Sequence, residues 1–256
     1  MDPDVNYDSD GNEIIKKPRK QKKKKLGRAP MKIIPIKNPD KKKHEYYKSG
    51  DNPLRLPKPF RMVILGQVNS GKSLLAKHIL FAHQARKPKF QEVHIIHGCA
   101  DKFTTEYDSI EPTSIRTEIP HYSEFDPKIN KLFIIDDYDF TQISGADLKK
   151  FSEIMRFGST HCNISVILLH QSFFRIPKIV KDCSNVFCIF KPHDNDELAT
   201  IGRRVGLKKE EITGIFRDHM PNWRDSLLIN LIPGAPYKFG KNLFQKLQLE
   251  TEDDSD

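Results

Sequence analysis

A short apolar run, Arg61-Met-Val-Ile-Leu65, leads directly into Gly66-Gln67-Val68-Asn69-Ser70-Gly71-Lys72-Ser73-Leu74. The spacing G-x-x-x-x-G-K-S, set between a strand pattern and a helical one, predicts a loop whose successive backbone N–H groups curl around a phosphate. Gly66 and Gly71 allow the backbone angles and the close approach that a Cβ would forbid. Lys72 is expected to reach the β- and γ-phosphates, and the Ser73 hydroxyl to ligate Mg²⁺. The helix starting near Lys72 directs its positive end at the anion. ATP and Mg²⁺ are therefore the expected cofactors, with positions 66–74 as the nucleotide-binding loop.

Such a site also needs a carboxylate at the end of a nearby strand. Lys131-Leu-Phe-Ile-Ile-Asp136-Asp137 supplies one, four apolar residues followed by two acids, which reads as a buried strand emerging at the ligand edge of a sheet. Asp136 is expected in the Mg²⁺ shell, and Asp137 is expected to orient or deprotonate the attacking water. Capping a helix is the alternative use of such acids. A further run, Asn163-Ile-Ser-Val-Ile-Leu-Leu169, ends in His170-Gln171-Ser172. An amide at that tip is suited to sensing the γ-phosphate, which makes Gln171 the candidate sensor; a turn cap is its other reading.

Apolar β-branched runs alternate with longer mixed segments across the middle of the chain, the pattern of βαβ units and a mainly parallel sheet. Strands are predicted at 61–65, 92–97, 131–136, 163–169, 185–190 and 226–231, and helices at 72–86, 145–157, 194–205 and 208–218. Residues 101–130 show no convincing period. With 256 residues, of which 37% are hydrophobic, the chain suffices for one α/β domain of about 200 residues plus a tail, or at most two small domains. The expected division is a basic, Pro-containing and mostly disordered tail at 1–59, a nucleotide-binding domain at 60–247 and an acidic tail at 248–256.

Of the net charge of +9, residues 1–48 carry +8. Residues 16–25 hold eight cations in ten positions with nothing apolar among them, so they build no core. Such a run neutralises phosphates by counterion release, directs a protein to the nucleus, or only aids solubility. No apolar run approaches the roughly 20 residues of a bilayer-spanning helix, and Met1-Asp-Pro-Asp-Val does not resemble a secretory signal, so an intracellular setting without a membrane partner is expected. Cys99, Cys162, Cys183 and Cys188 show no C-x-x-C spacing and are read as buried, reduced thiols. His94 and His97 would point to opposite faces of a strand, so a satisfied sheet histidine is the better reading than a metal pair. Trp223 stands alone, and no aromatic and basic residues interleave as they do in a base-stacking platform.

The loop, the Asp136-Asp137 pair and the segment Phe157-Gly-Ser-Thr-His161-Cys-Asn163-Ile-Ser165-Val-Ile-Leu-Leu-His-Gln171-Ser172-Phe-Phe-Arg175-Ile-Pro177-Lys178 together resemble the viral genome-packaging ATPases of the FtsK–HerA superfamily. The poxvirus-type branch of large DNA viruses, virophages and Polinton-like elements is the nearest in motif. The resemblance runs from about Phe60 to Phe244 and includes Pro221, Ser226-Leu-Leu-Ile-Asn230 and Tyr237-Lys-Phe, similar to that branch's C-terminal hairpin region. It implies a RecA-like P-loop NTPase fold with an additional strand, assembled as a homo-oligomeric ring that pumps double-stranded DNA into a preformed capsid, with a capsid or portal-vertex protein as partner. A virus factory in cytoplasm or nucleus, and the virion itself, are the implied locations. By the same resemblance Lys72 and Ser73 match the Walker A residues, Asp136 the Walker B metal ligand and Gln171 the sensor. Asp137 stands where the superfamily usually has Glu. The slot where an Arg would follow Gly reads Gly158-Ser-Thr-His161, so Arg156 is the first choice for a trans-acting arginine finger, with Arg175 and the Arg203-Arg204 pair in reserve.

Two other functions fit the same residues. One is a cellular or plasmid-type FtsK–HerA translocase or helicase, and the other is a non-enzymatic DNA-binding scaffold that keeps the P-loop as a relic. Intact Lys72, Ser73, Asp136 and Gln171 argue against the relic.

Overall fold

The computed structural model describes residues 54, 56–85, 87–98, 107–192 and 194–248. The basic run at 16–25, the acidic segment at 250–256 and Cys99 lie outside these residues.

Among the described residues the strands form a single nine-stranded sheet in the order β3-β2-β4-β5-β1-β6-β7-β8-β9. Its first six strands are parallel: β3 (Ser114–Arg116), β2 (Glu92–His97), β4 (Lys131–Asp136), β5 (Ile164–His170), β1 (Arg61–Leu65) and β6 (Val186–Phe190). The last three, β7 (Ser226–Asn230), β8 (Phe239–Lys241) and β9 (Gln245–Leu247), run antiparallel to their neighbours. All six residues of β4 are buried, as expected for a parallel strand covered on both faces.

Alternation along the strands divides the core in two. Met62 and Ile64 face Ala76, Ile79 and Leu80 of α1 (Lys72–Gln84), whereas Val63 and Leu65 belong with Phe151 of α2 (Gly145–Glu153), Leu198 and Ile201 of α5 (Asn195–Val205) and Ile212 and Phe216 of α6 (Lys209–His219). Apart from Ala76, each of these buried side chains contributes about 1.5–3 kcal/mol. Leu56 is 2% exposed and joins the α1-side core, so packing begins before the domain start expected at residue 60.

The predicted helix at 145–157 is not uniform. α2 begins under a Ser144 cap that accepts from Asp147 N, but from Ile154 to Gly158 the chain winds as a π-helix, and Ser159–His161 adds one α-turn, α3. The π segment buries Ile154 and Met155 and turns Arg156 and Phe157 outward. β5 starts one residue later than predicted because Asn163 takes a left-handed φ of 51°, with its amide donating to the Pro127 carbonyl at 2.7 Å. In the stretch without a period, residues 107–130 give two single 3₁₀ turns and the edge strand β3. The short helix α4 (Lys178–Cys183) and strand β9 were also not predicted, and β8 was not read from the pattern although the resemblance pointed to a hairpin there.

Lys131 opens β4 fully buried. Its ammonium donates to the carbonyls of Asp126, Ile129 (2.7 Å) and Cys162 (3.2 Å), and desolvation pushes its pKa down. Cys162 and Cys188 are buried free thiols, that of Cys188 pushed up to about 12 by burial, and Cys183 is a half-buried one. No described helix is long and apolar enough to cross a membrane.

Candidate nucleotide-binding site

The loop at 66–73 leaves the carboxyl end of β1 and enters α1. Its shape follows from the residues the motif specifies. Gly66 donates its N–H to the His170 carbonyl at 3.1 Å, tying the loop to the tip of β5. A Cβ on Gly66 would lie 2.5 Å from Ser70 Oγ and 2.9 Å from Phe190 Cβ, so no other residue fits there without moving the loop. Asn69 (φ 65°) and Gly71 (φ 104°) take left-handed conformations that turn the chain back onto itself. α1 has no side-chain cap and no acid in its first turn, which leaves its N-terminal N–H groups and positive dipole end for an anionic ligand. Lys72 is 8% exposed and its Nζ donates to the Gln67 carbonyl at 2.8 Å, across the loop. The Ser70 hydroxyl is buried and has no hydrogen-bond partner among the described residues. Val68 (66%) and Leu74 (54%) are exposed.

The register joins this loop to the acids. Ile135 pairs with Leu168, and Leu168 with Val63, so β4, β5 and β1 end side by side. Asp136 is 3% exposed, and its Oδ2 accepts from Ser73 Oγ at 3.3 Å and from the Tyr107 hydroxyl at 2.5 Å. A hydroxyl and a carboxylate are hard oxygen donors, so this pair fits Mg²⁺, a cation that takes one or two protein oxygens and leaves its other positions to water and phosphate. Asp137 follows, exposed and in the left-handed region at φ 46°.

Gln171 leaves β5 between these two stations. It is exposed and lines a cavity of about 190 Å³ together with Gly66, Gln67, Phe190, Asp194 and Glu197. On one side of Gln171, His170 has its Nδ1 2.7 Å from the Ser172 carbonyl and 3.1 Å from the Ser172 N–H. Burial lowers the pKa of His170, with the Arg175 charge acting in the same direction and the Ser172 carbonyl and the Asp137 and Glu197 charges opposing. On the other side, Glu197 Oε1 accepts from Ser172 Oγ at 2.8 Å, from Phe173 N and from Phe174 N at 3.3 Å.

The structure therefore brings together Lys72, Ser73, Asp136, Asp137 and Gln171. It does not bring Arg156 to them. The guanidinium of Arg61, at the start of β1, donates to the Met155 carbonyl at 3.4 Å, so the π segment lies at the opposite edge of the sheet. The length of β1, about 13 Å at 3.3 Å per residue, separates that edge from the loop. Arg156 is exposed there, 5.5 Å from the Phe157 ring. Arg175 shares the loop's edge, where its charge acts on His170 and Asp139. On α5, Arg204 pairs with Asp182 at 2.6 Å and Arg203 donates to Thr200 Oγ1 at 3.0 Å.

Two residues of the site escaped the sequence reading. Tyr107 lies in the stretch without periodicity, and nothing local marks it. Glu197 reads as an ordinary acid in the first turn of a helix. His94 is the satisfied sheet histidine expected: its two ring nitrogens lie 2.7 Å from Ser114 Oγ and 3.1 Å from Glu92 Oε2.

No protein-family model matches this sequence, and no curated protein matches it. Solved structures do. The chain is similar to B204, the DNA-packaging ATPase from Sulfolobus Turreted Icosahedral Virus, with a TM-score of 0.51 and 16% identity over 73% of this chain and 97% of that one. It is likewise similar to the genome packaging NTPase B204 of Sulfolobus turreted icosahedral virus 2 in its complex with AMP, with a TM-score of 0.51 and 16% identity over 77% of this chain and 100% of that one. At such identity the likeness is one of fold: the chain has the α/β P-loop NTPase architecture of these proteins.

Proposed function

We propose that this chain is an ATPase that drives double-stranded DNA into a viral capsid as a homo-oligomeric ring. The observation that carries this reading is the strand order: β5 lies between β1 and β4, so Gln171 stands between the phosphate loop and the Asp136-Asp137 pair. The shared fold with the packaging NTPase B204, over nearly the whole of that protein, supports the packaging part. In the proposed reaction the N–H groups of 66–73 hold the β-phosphate, and Lys72 exchanges the Gln67 carbonyl for phosphate oxygens. Ser73 and Asp136 would hold Mg²⁺, which neutralises charge on the phosphates when bound. Asp137 orients the attacking water and takes its proton, and Gln171 reads the γ-phosphate. Arg156, out of reach of its own loop, would serve the site of a neighbouring subunit, a contribution worth about 10³–10⁵ in rate in other P-loop enzymes.

The test is ATP hydrolysis by wild type and Lys72→Ala across protein concentration, with and without long duplex DNA. Lys72-dependent turnover that rises more than linearly with enzyme and is stimulated by duplex is the expected result. Absence of Lys72-dependent turnover at high concentration with DNA would overturn the enzymatic reading in favour of a nucleotide-binding scaffold.

A further inference from the structure

Gln171 is one residue held between two anchors. The His170 carbonyl before it accepts from Gly66 N at 3.1 Å, and Ser172 after it donates its hydroxyl to Glu197 at 2.8 Å. The second anchor does not stop at Ser172, because the same Glu197 oxygen also takes the N–H groups of Phe173 and Phe174. Further along, the Phe173 carbonyl accepts from Ile176 N at 3.3 Å and from Lys181 Nζ at 3.2 Å, so the loop is pinned beyond that point by its own turn and by α4. Without Glu197, the Ser172 hydroxyl and the Phe173 and Phe174 N–H groups would lose their acceptor, and the contact of the Ser172 N–H with His170 Nδ1 at 3.1 Å would be the side-chain hold that remains directly after Gln171.

Glu197 is not needed to start its own helix. Asp194 already caps α5 by accepting from Asp196 N at 2.7 Å. Glu197 is 8% exposed and reaches away from α5 toward the tip of β5, into the wall of the cavity that Gln171 and Gln67 also line. A carboxylate taken out of water in this way is tolerated only where donors satisfy it, and here three converge on one oxygen.

We infer that Glu197 is a positioning residue for hydrolysis: it fixes the loop after β5 so that Gln171 faces the phosphate end of the nucleotide loop. It also provides the mechanical link between Gln171 and α5, by which a shift of Gln171 would reach the helical layer. This rests on the proposed ATPase function. Its signature is a loss in the chemical step with nucleotide binding spared, because Glu197 acts through Gln171 and spends its hydrogen bonds on residues 172–174 rather than on the loop at 67–73.

The experiment compares wild type, Glu197→Ala, Glu197→Gln and Ser172→Ala, each with folding verified by thermal unfolding and affinity for a non-hydrolysable ATP analogue measured directly. Glu197→Ala is expected to lower kcat by about tenfold or more with KM and analogue affinity within about twofold, since displacing a reacting group by about 1 Å can cost that much. Glu197→Gln keeps an acceptor oxygen and should recover most of kcat. Ser172→Ala removes one donor and should fall between, and it decides the matter if Glu197→Ala does not fold. Wild-type kcat in Glu197→Ala and Ser172→Ala, or a loss carried by KM and analogue affinity, overturns the positioning role while leaving the ATPase reading intact. No Lys72-dependent turnover in wild type overturns that reading, and this inference with it.

Discussion

Ser73 and Asp136, 63 residues apart in the chain, meet through a 3.3 Å hydrogen bond from Ser73 Oγ to Asp136 Oδ2, and the Tyr107 hydroxyl donates to that same oxygen. Tyr107 is 2% exposed among Val93, Ile95 and Leu132, so its ring is fixed and its hydroxyl sets the direction of the carboxylate. Partners that orient a metal ligand from behind are typically worth about 10–100-fold in metal affinity. Tyr107→Phe should therefore raise the Mg²⁺ concentration needed for half-maximal turnover by about tenfold, and weaken Mn²⁺ binding read by electron paramagnetic resonance with a non-hydrolysable analogue present. Unchanged Mn²⁺ affinity would reduce Tyr107 to a core residue.

Gly66→Ala tests the close approach at the start of the loop. The new methyl would meet Ser70 Oγ at 2.5 Å and Phe190 Cβ at 2.9 Å, and while the serine could rotate, the Phe190 Cβ is fixed to its backbone and cannot give way without moving the strand. Overpacking of this kind costs about 1–3 kcal/mol, visible as a lower Tm. Nucleotide-analogue binding should fall with it, because the displaced loop no longer presents a continuous row of N–H groups. Wild-type affinity in a folded Gly66→Ala protein would show that the loop does not hold phosphate in this way.

The parts of the fold that were legible in the sequence are those where local chemistry and tertiary packing agree. β1, β2 and β4 are largely apolar runs with parallel strands along both edges and core side chains on both faces, and their observed bounds are the predicted ones. The loop was legible because phosphate geometry restricts residue type at each step. Contacts made across long sequence separations were not. Tyr107 reaches Asp136 from a segment without period, and Glu197 reaches Ser172 across 25 residues from a helix whose own capping needs explain an acid equally well. The π segment escaped for a different reason: Ile154, Met155 and Gly158 fit an α-helical pattern as well as the wider turn they take.

Acidification should destabilise the fold from pH 6.5 downward. Burial lowers the pKa of His94 below the ordinary 6.5, with Arg116 and Lys131 acting in the same direction and Glu92 opposing. The Phe125 and Phe133 rings, 5.0 and 5.1 Å away, complete its surroundings. The unfolded chain then binds a proton that the folded one excludes, so this contribution is fully present above pH 6.5 and is lost as pH falls through the folded pKa. His170, lowered for the same first cause, adds a second contribution of equal sign. Chemical denaturation across pH should show stability falling by up to about 1.4 kcal/mol per pH unit for each histidine. His94→Gln should flatten that slope by its own share, and a wild-type slope in this variant would assign the dependence elsewhere.

Deletion of residues 1–29 separates the basic run from the site. The nucleotide loop, Asp136 and Gln171 all lie in the sheet domain, so basal Lys72-dependent hydrolysis should be unchanged. DNA affinity should fall. Each Lys or Arg that neutralises a duplex phosphate contributes about −0.9 to the slope of log K against log salt, and residues 16–25 alone carry eight cations. A truncated protein that binds duplex DNA with a slope shallower by several such increments would show that the run tracks the backbone. The same slope in both proteins would assign DNA contact to the folded domain, and because the nucleotide loop, Asp136 and Gln171 are all retained in the deletion, that outcome would redirect the search for lysines to the sheet domain and leave the proposed ATPase function standing.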